Sequence, residues 1–209
     1  MNKTKEKIIN TAQELYNSQG VNNVSIRQLA KESGISHSNL IYHFPDHESI
    51  ILYLHDQMLQ RAIKLNKEID HPTVNLQDFF NGTKVGFSVV YEFRFLFNDL
   101  KYICSSFPRV KEVLVSVEQV RSRMYQTVIE QMINNGLMRA EEFENEFKNL
   151  ITLIKILSDH WLTSSSIYDI LSKEEKIEKY AFLLISFFYP YLTEKGKGEF
   201  LQITAPKPH

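Results

Sequence analysis

The chain has 209 residues, 43% of them hydrophobic and 12% aromatic, enough to bury a core in one domain or in one domain with a small satellite. Charge is balanced, 24 Lys+Arg against 25 Asp+Glu for a net of -1, so no overall basicity announces a nucleic-acid partner and any such reading must rest on local pattern. A single cysteine, Cys104, excludes an intrachain disulfide, and no CxxC spacing offers a zinc site. The amino-terminal MNKTKEKIINTAQELY lacks the apolar core of a secretory signal, and the apolar run 180–192 is too short and too aromatic to span a bilayer. These features predict a protein of the reducing cytoplasm with no membrane partner.

Glycine and proline are scarce, at 7 and 6, and apolar residues recur at helical spacing nearly throughout, which predicts an all-α chain. Ile8, Ile9, Ala12, Leu15 and Tyr16 form one stripe of a first helix, with Gly20 where a left-handed stop is expected. Ser25 with Gln28 three residues on is a capping-box pattern for a second helix, whose Ile26, Leu29 and Ala30 face inward and which Gly34 ends within about two turns. Ser36 caps a third helix running to about His43, halted by Phe44 and Pro45, and Asp46 caps a fourth that runs to about Lys67. The segment DHPTVN then breaks the pattern. Beyond it, periodicity predicts helices over 76–91, 93–105, 108–135, 142–164 and 173–191, followed by a frayed tail from Thr193. The stripe of the long helix over 108–135, Val110, Val113, Val117, Val120, Met124, Val128 and Met132, suits packing in a bundle.

Two short helices joined by the turn SGIS form a helix-turn-helix, in which the second helix enters the major groove of DNA. Gly34 supplies a backbone conformation that a side chain resists, and Ile35 plugs the space between the helices. His37, Ser38, Asn39, Tyr42 and His43 then face outward. None is acidic, and their hydroxyl, amide and imidazole groups can reach base edges or phosphate oxygens.

At this point residues 8–52 resemble the DNA-binding domain of the TetR family of bacterial transcriptional regulators. Ser25, Ile26, Arg27, Leu29, Ala30, Ser33, Gly34, Ile35, Ser36, Ser38, Leu40, Tyr42, His43, Phe44, Asp46 and Ile50 fall at the family's spacing. Three positions depart from it: Ile41 stands where the first tyrosine of the recognition helix is common, His47 where a lysine opens the fourth helix, and Ser38 where many members have glycine. Histidine in place of a permanently charged lysine weakens phosphate attraction near neutral pH. The resemblance implies a helix-turn-helix domain over 1–48, a helical effector-binding and dimerisation domain over 49–192, and a flexible tail over 193–209. It implies DNA contacts by Ser25, Arg27, Ser36, His37, Ser38, Asn39, Tyr42, His43 and His47.

The segment 79–161 is dense in aromatic residues, and rings at helical spacing serve a core more often than a pocket. Because the family's effector site lies among these helices, the resemblance implies a small apolar or aromatic effector held by residues from the set Phe87, Tyr91, Tyr102, Phe107, Met124, Tyr125, Val128, His160 and Trp161. It also implies a four-helix interface of a homodimer, drawn from Ile151, Ile154, Leu157, Leu184, Phe187 and Phe188, on the surplus apolar surface of the last two long helices. A two-fold assembly suits a palindromic operator of double-stranded DNA, since one recognition helix covers only a few base pairs.

Enzymatic chemistry, a metal and a cofactor are not expected. His43 and His47 are four apart, but Phe44 and Pro45 interrupt the helix between them, and Asp159, His160 and Cys104 lack any accompanying nucleophile motif. The reading is a ligand-responsive repressor; the alternative is a protein-binding adaptor whose helix-turn-helix no longer binds DNA, which Ile41, His47 and the near-neutral net charge leave open.

Overall fold

The computed structural model describes residues 3–67 and 75–204 and contains, among them, eleven α-helices and no strand beyond one isolated antiparallel bridge between Met138 and Leu192. The expected DHPTVN break lies outside the described residues. No described helix is long and apolar enough to cross a membrane. The helices gather into two compact units, one formed by the residues up to Ile63 with Val89–Ser116, the other by Lys64–Ser88 with the residues from Val117 onward.

The first unit opens with α1 (Lys3–Gln19), whose Ile8, Ile9, Ala12 and Tyr16 are buried as one stripe. Helices α2 (Ile26–Glu32) and α3 (His37–His43) follow, then α4 (His47–Lys67), which Asp46 opens by accepting the Ser49 N–H at 2.8 Å. The unit does not stop where the sequence motif stops. Gln13 and Asn17 donate to the Glu92 carbonyl at 3.0 and 2.8 Å, Asn17 Oδ1 accepts the Phe95 N–H, and Asp99 Oδ2 accepts the Val21 N–H at 2.9 Å, so α1 is tied to a turn some 75 residues away. The same bonds break what periodicity reads as one helix over 93–105. After α5 (Leu76–Glu92) the chain turns, forms α6 (Phe95–Asn98), turns again at Asp99 and forms α7 (Leu100–Ser106).

In the second unit the first part of α5 and the later part of α8 (Pro108–Asn134) join α9 (Glu146–Tyr168), α10 (Lys173–Ser186) and α11 (Glu194–Thr204). Phe79 meets Phe188 edge-on at 5.1 Å, Phe80 meets Phe182 at 6.5 Å, and Phe87 stacks on Trp161 at 4.9 Å and 14°. Aromatic pairs of this kind add about 0.5–1.5 kcal/mol each beyond the area they bury. A full capping box at Ser172 and Glu175 starts α10, and Pro190 sits in a 3-10 turn (Tyr189–Tyr191) that ends it short of residue 191.

The segment from Thr193, expected as a frayed tail, is instead helical over Glu194–Thr204. It is held because Gly196 lies against the 136–138 segment: a Cβ there would sit 2.2 Å from the Leu137 carbonyl oxygen. Thr193 N–H donates to that same carbonyl at 3.0 Å, and Phe200 is buried among Phe182 and Tyr189. Residues 205–209 lie outside the described residues.

The loop from Asn135 to Asn145 is locked by an ion pair between half-buried Arg139 and buried Glu146. Arg139 forks onto Glu146 at 2.9 and 2.8 Å, and Glu146 also accepts the Glu142 N–H at 2.9 Å, which delays the start of α9 from residue 142 to 146. Bidentate pairs of this geometry fix position as well as adding energy. The Arg139 guanidinium, with the Glu142 N–H, holds the Glu146 carboxyl down at about 2. A carboxylate held below its unfolded value stabilises the fold above that value, and the benefit disappears as pH falls through the depressed one. Glu146→Gln should therefore flatten the loss of stability between pH 4.5 and 2. Urea midpoints that fall as steeply in this variant as in the wild type would place the acid sensitivity elsewhere.

Candidate nucleic-acid interface

Helices α2 and α3 have seven residues each and owe their ends to local side chains. Ser25 Oγ accepts the Gln28 N–H at 3.1 Å and Ser36 Oγ the Asn39 N–H at 3.2 Å, each a cap of the kind that contributes about 1 kcal/mol. Gly34 takes φ +59, the left-handed region, and its N–H reaches the Lys31 carbonyl while Ile35 N–H reaches Ala30. That turn sets the crossing of the two helices. Their inner sides, Leu29, Ala30, Ser33 and Leu40, are buried to within 2%.

What remains outside is the candidate surface. Ser25, Arg27, Ser36, His37, Ser38, Asn39 and Tyr42 are all exposed, Tyr42 to 83%. His43 is half-buried, its ring edge-on to Tyr42 at 5.2 Å. The structure thus brings eight of the nine expected contacts onto α2, α3 and their caps. Ser25 accepts from the backbone with its oxygen and keeps its hydroxyl hydrogen for a phosphate, whereas Ser36 Oγ also lies 3.1 Å from Ser38 Oγ and shares one hydroxyl hydrogen with it. Lys5 of α1 lies over the Tyr53 ring at 4.3 Å and the Phe44 ring at 5.3 Å, pinning the end of α3 to α1 and α4.

His47 is the exception. Its ring turns inward, with Nδ1 2.6 Å from the hydroxyl of buried Tyr16, whose own ring lies 5.3 Å from Phe95. Burial raises the Tyr16 phenol far above its usual value and pushes the His47 imidazole down, against a smaller upward pull from Asp46. The contact serves either neutral tautomer of His47: the Tyr16 O–H donates to a bare Nδ1, or an Nδ1–H donates to the phenol oxygen. Two turns along α4, His55 is 2% exposed, its Nε2 has no partner, and burial lowers its pKa as well. The pairing has no sequence signal, because Tyr16 and His47 are 31 positions apart.

The residues expected around an effector are distributed over both units. Phe87 and Trp161 stack in the second unit, where the Tyr180 ring stands 5.4 Å from Trp161 and the buried indole Nε1 has no hydrogen-bond partner. Tyr125 and Val128 are half-buried there, while Met124 is 55% exposed and His160 also faces outward. Tyr91, Tyr102 and Phe107 belong to the first unit, with Tyr102 edge-on to Phe107 at 6.0 Å. The second unit has an open groove of about 900 Å³ between α8, the 140–145 loop and α9, and none of the nine lines it.

Of the six residues expected at a dimer interface, Ile154, Leu184 and Phe188 are fully buried within the unit, and Ile151, Leu157 and Phe187 are half-buried. Helix α9 is apolar on more than one side, so periodicity alone does not choose its inner face. The large apolar residues left outside on the two helices are Leu153, Ile156, Ile167, Tyr168 and Leu183.

A histidine held below its unfolded value stabilises the fold above about pH 6.5, and that stability is lost as pH falls beneath it. His47→Asn keeps an acceptor facing Tyr16 without a titrating ring. The thermal midpoint of the wild type should therefore drop more than the variant's between pH 7.5 and 5.5, and parallel curves would remove His47 as a source.

Comparison with known proteins agrees with this geometry. Residues 8–54 match the profile of the bacterial regulatory proteins of the tetR family, and residues 55–200 match that of the TetR bacterial transcriptional repressors. The HTH-type transcriptional regulator YuxN of Bacillus subtilis is 28% identical over 154 residues, 71% of this chain, and the chain spans about half the length of that curated relative. A TetR-family regulator from Marinobacter aquaeolei has the same fold at TM-score 0.84 and 20% identity, covering 96% of this chain and 97% of its own. A transcriptional regulator from Saccharomonospora viridis in complex with choline superposes at TM-score 0.76 and 16% identity, over 93% of this chain and 100% of its own. SmeT in complex with triclosan does so at 0.69 and 12%, over 99% of each. With both of its halves matched, the chain belongs to the TetR family of bacterial transcriptional regulators.

Proposed function

We propose that the protein is a homodimeric, effector-responsive transcriptional repressor that binds a palindromic operator. One observation carries the DNA reading: Arg27, His37, Ser38, Asn39 and Tyr42 are all solvent-exposed on two helices whose crossing Gly34 sets. None of these side chains is acidic, and serine, asparagine, histidine and arginine are the types that read base edges in the major groove. Tyr42 offers a hydroxyl to the backbone, and His43 borders the same surface. A dimer places two recognition helices about 34–36 Å apart, one turn of duplex. The apolar residues outside on α9 and α10, Leu153, Ile156, Ile167 and Leu183, supply a face for that dimer.

For the effector, Phe87, Trp161 and Tyr180 form a ring cluster whose indole N–H lacks an acceptor, which suits an apolar or aromatic molecule carrying one hydrogen-bond acceptor. Relatives of this fold have been crystallised with choline and with triclosan. The effector would favour a dimer whose recognition helices no longer match the groove spacing, and operator DNA must then weaken effector binding by the same factor.

A second reading, a protein-binding adaptor, draws support from His47: its inward turn removes a cation from the phosphate surface. The two differ in salt dependence, because each phosphate contact releases counterions and steepens the fall of affinity with salt. Selection from random duplexes should return a palindrome. Arg27→Ala should then weaken that site by about 1–3 kcal/mol and relax one base position if the guanidinium reads a guanine, or weaken all duplexes equally if it holds a phosphate. Unchanged binding in this variant would take Arg27 out of the interface, and salt-independent binding of the wild type would favour the adaptor. Ile156→Glu, at a position 55% exposed, should yield a folded monomer by sedimentation; a dimer of wild-type affinity would place the interface on another face.

A further inference from the structure

Helices α2 and α3 bring little fixed positive charge to the surface described above. Arg27 and Lys31 stand against Glu32, and α3 has no lysine or arginine. His47, turned inward onto Tyr16, adds none. Each strand of a duplex carries one negative charge for about every 3.4 Å of its axis, so a surface that seats on it gains from cations close to the helix that enters the groove.

Helix α1 provides one. Lys7 is exposed and directly precedes Ile8 and Ile9, whose burial holds α1 in place within the first unit. Its ammonium crosses the turn between α2 and α3: a Cβ on Gly34 would sit 3.2 Å from Lys7 Nζ. The glycine that the left-handed turn requires, at φ +59, therefore also leaves the room that the ammonium occupies. Gly34 stands two residues before Ser36, the cap of α3, and consecutive Cα atoms are about 3.8 Å apart, which puts Lys7 Nζ within about 12 Å of the start of the recognition helix. A phosphate lies within a lysine's reach of that point when α3 occupies the groove.

The ammonium is also uncommitted. Lys84, Lys155, Lys179 and Lys197 each pair with a carboxylate, and Lys5 lies over the rings of Phe44 and Tyr53. Lys7 has no such partner among the described residues, so meeting a phosphate would break no internal pair and would release a counterion from the duplex.

We infer that Lys7 holds a DNA phosphate beside α3, from a position one residue before the segment that matches the family profile. The inference rests on the DNA reading and adds to it a contact from α1. A phosphate contact sets register and affinity and carries no base preference.

Fluorescence anisotropy of the full chain with a labelled duplex of random sequence, at several salt concentrations, tests it. In Lys7→Gln the fall of log affinity with log salt should be shallower by about 0.9, so that raising salt from about 50 to 200 mM costs the variant roughly three- to fourfold less than it costs the wild type. Lys7→Arg keeps the charge and should restore the wild-type slope, and the sequence selected from random duplexes should be the same for all three proteins. A purely structural role for Lys7 would lower the thermal midpoint and leave the slope alone. A slope in Lys7→Gln equal to that of the wild type, or an altered base preference, overturns the phosphate contact while the DNA reading stands. A wild-type chain whose duplex binding is independent of salt overturns both.

Discussion

Seven-residue helices are not stable in water: nucleation fixes several residues for the first hydrogen bond, and isolated helices need roughly 12–15 residues to persist. Helices α2 and α3 exist here because their inner side chains are buried and their ends are capped locally. Leu29, Ala30 and Leu40 supply the burial, Ser25 and Ser36 the caps, and Gly34 the left-handed turn that lets the two helices cross without strain. Everything proposed about DNA depends on that small assembly, since it alone keeps Arg27, His37, Ser38 and Asn39 directed outward together. The assembly is in turn seated on α1, whose buried stripe ends at Tyr16.

Polar groups fix what apolar packing leaves loose. Burial by itself is non-directional. In the first unit, Asn17 accepts from Phe95 and donates to the Glu92 carbonyl, Asp99 accepts from Val21, and Tyr16 meets His47, so α1 has one register against the turns it touches. In the second, the Arg139–Glu146 fork and the contact of Gly196 with the Leu137 carbonyl hold the loop that borders the groove. The pair Arg121–Asp159 at 2.7 Å, with Lys155 and Glu118 beside it, couples α8 to α9 in the same way. Ion pairs of partly exposed groups contribute little net stability, and their effect here is on position more than on energy.

The recognition half of the protein was legible because its signals are local. A capping serine, its partner N–H three residues on, and a glycine that must turn left are all fixed within four or five positions. The helix ends at Gly34 and His43 follow from them. The second half offered less. Periodicity found its long helices, but not the turns at Arg94 and Asp99, because a carboxylate called away to Val21 leaves no trace in the spacing of apolar residues. It also gave residues 193–204 to a tail, although Gly196 is needed there for the close approach of α11 to the Leu137 carbonyl.

The sequence by itself determined an all-helical chain, a helix-turn-helix at its start and the side chains that surface presents, since those depend on hydrogen bonds between near neighbours and on a strong 3.6-residue pattern. Only the tertiary structure decided which face of α9 lies inside. That helix carries Leu150, Ile151, Leu153, Ile154, Ile156 and Leu157 within eight positions, so its apolar residues wrap most of its circumference. Rotating such a helix changes neither its periodicity nor its propensity. The choice fell to partners far along the chain, Phe87 and Tyr180 packed against Trp161, which buried Ile154 and left Leu153 and Ile156 in water. The same distance along the chain hid the bond that turned His47 from the DNA surface towards Tyr16.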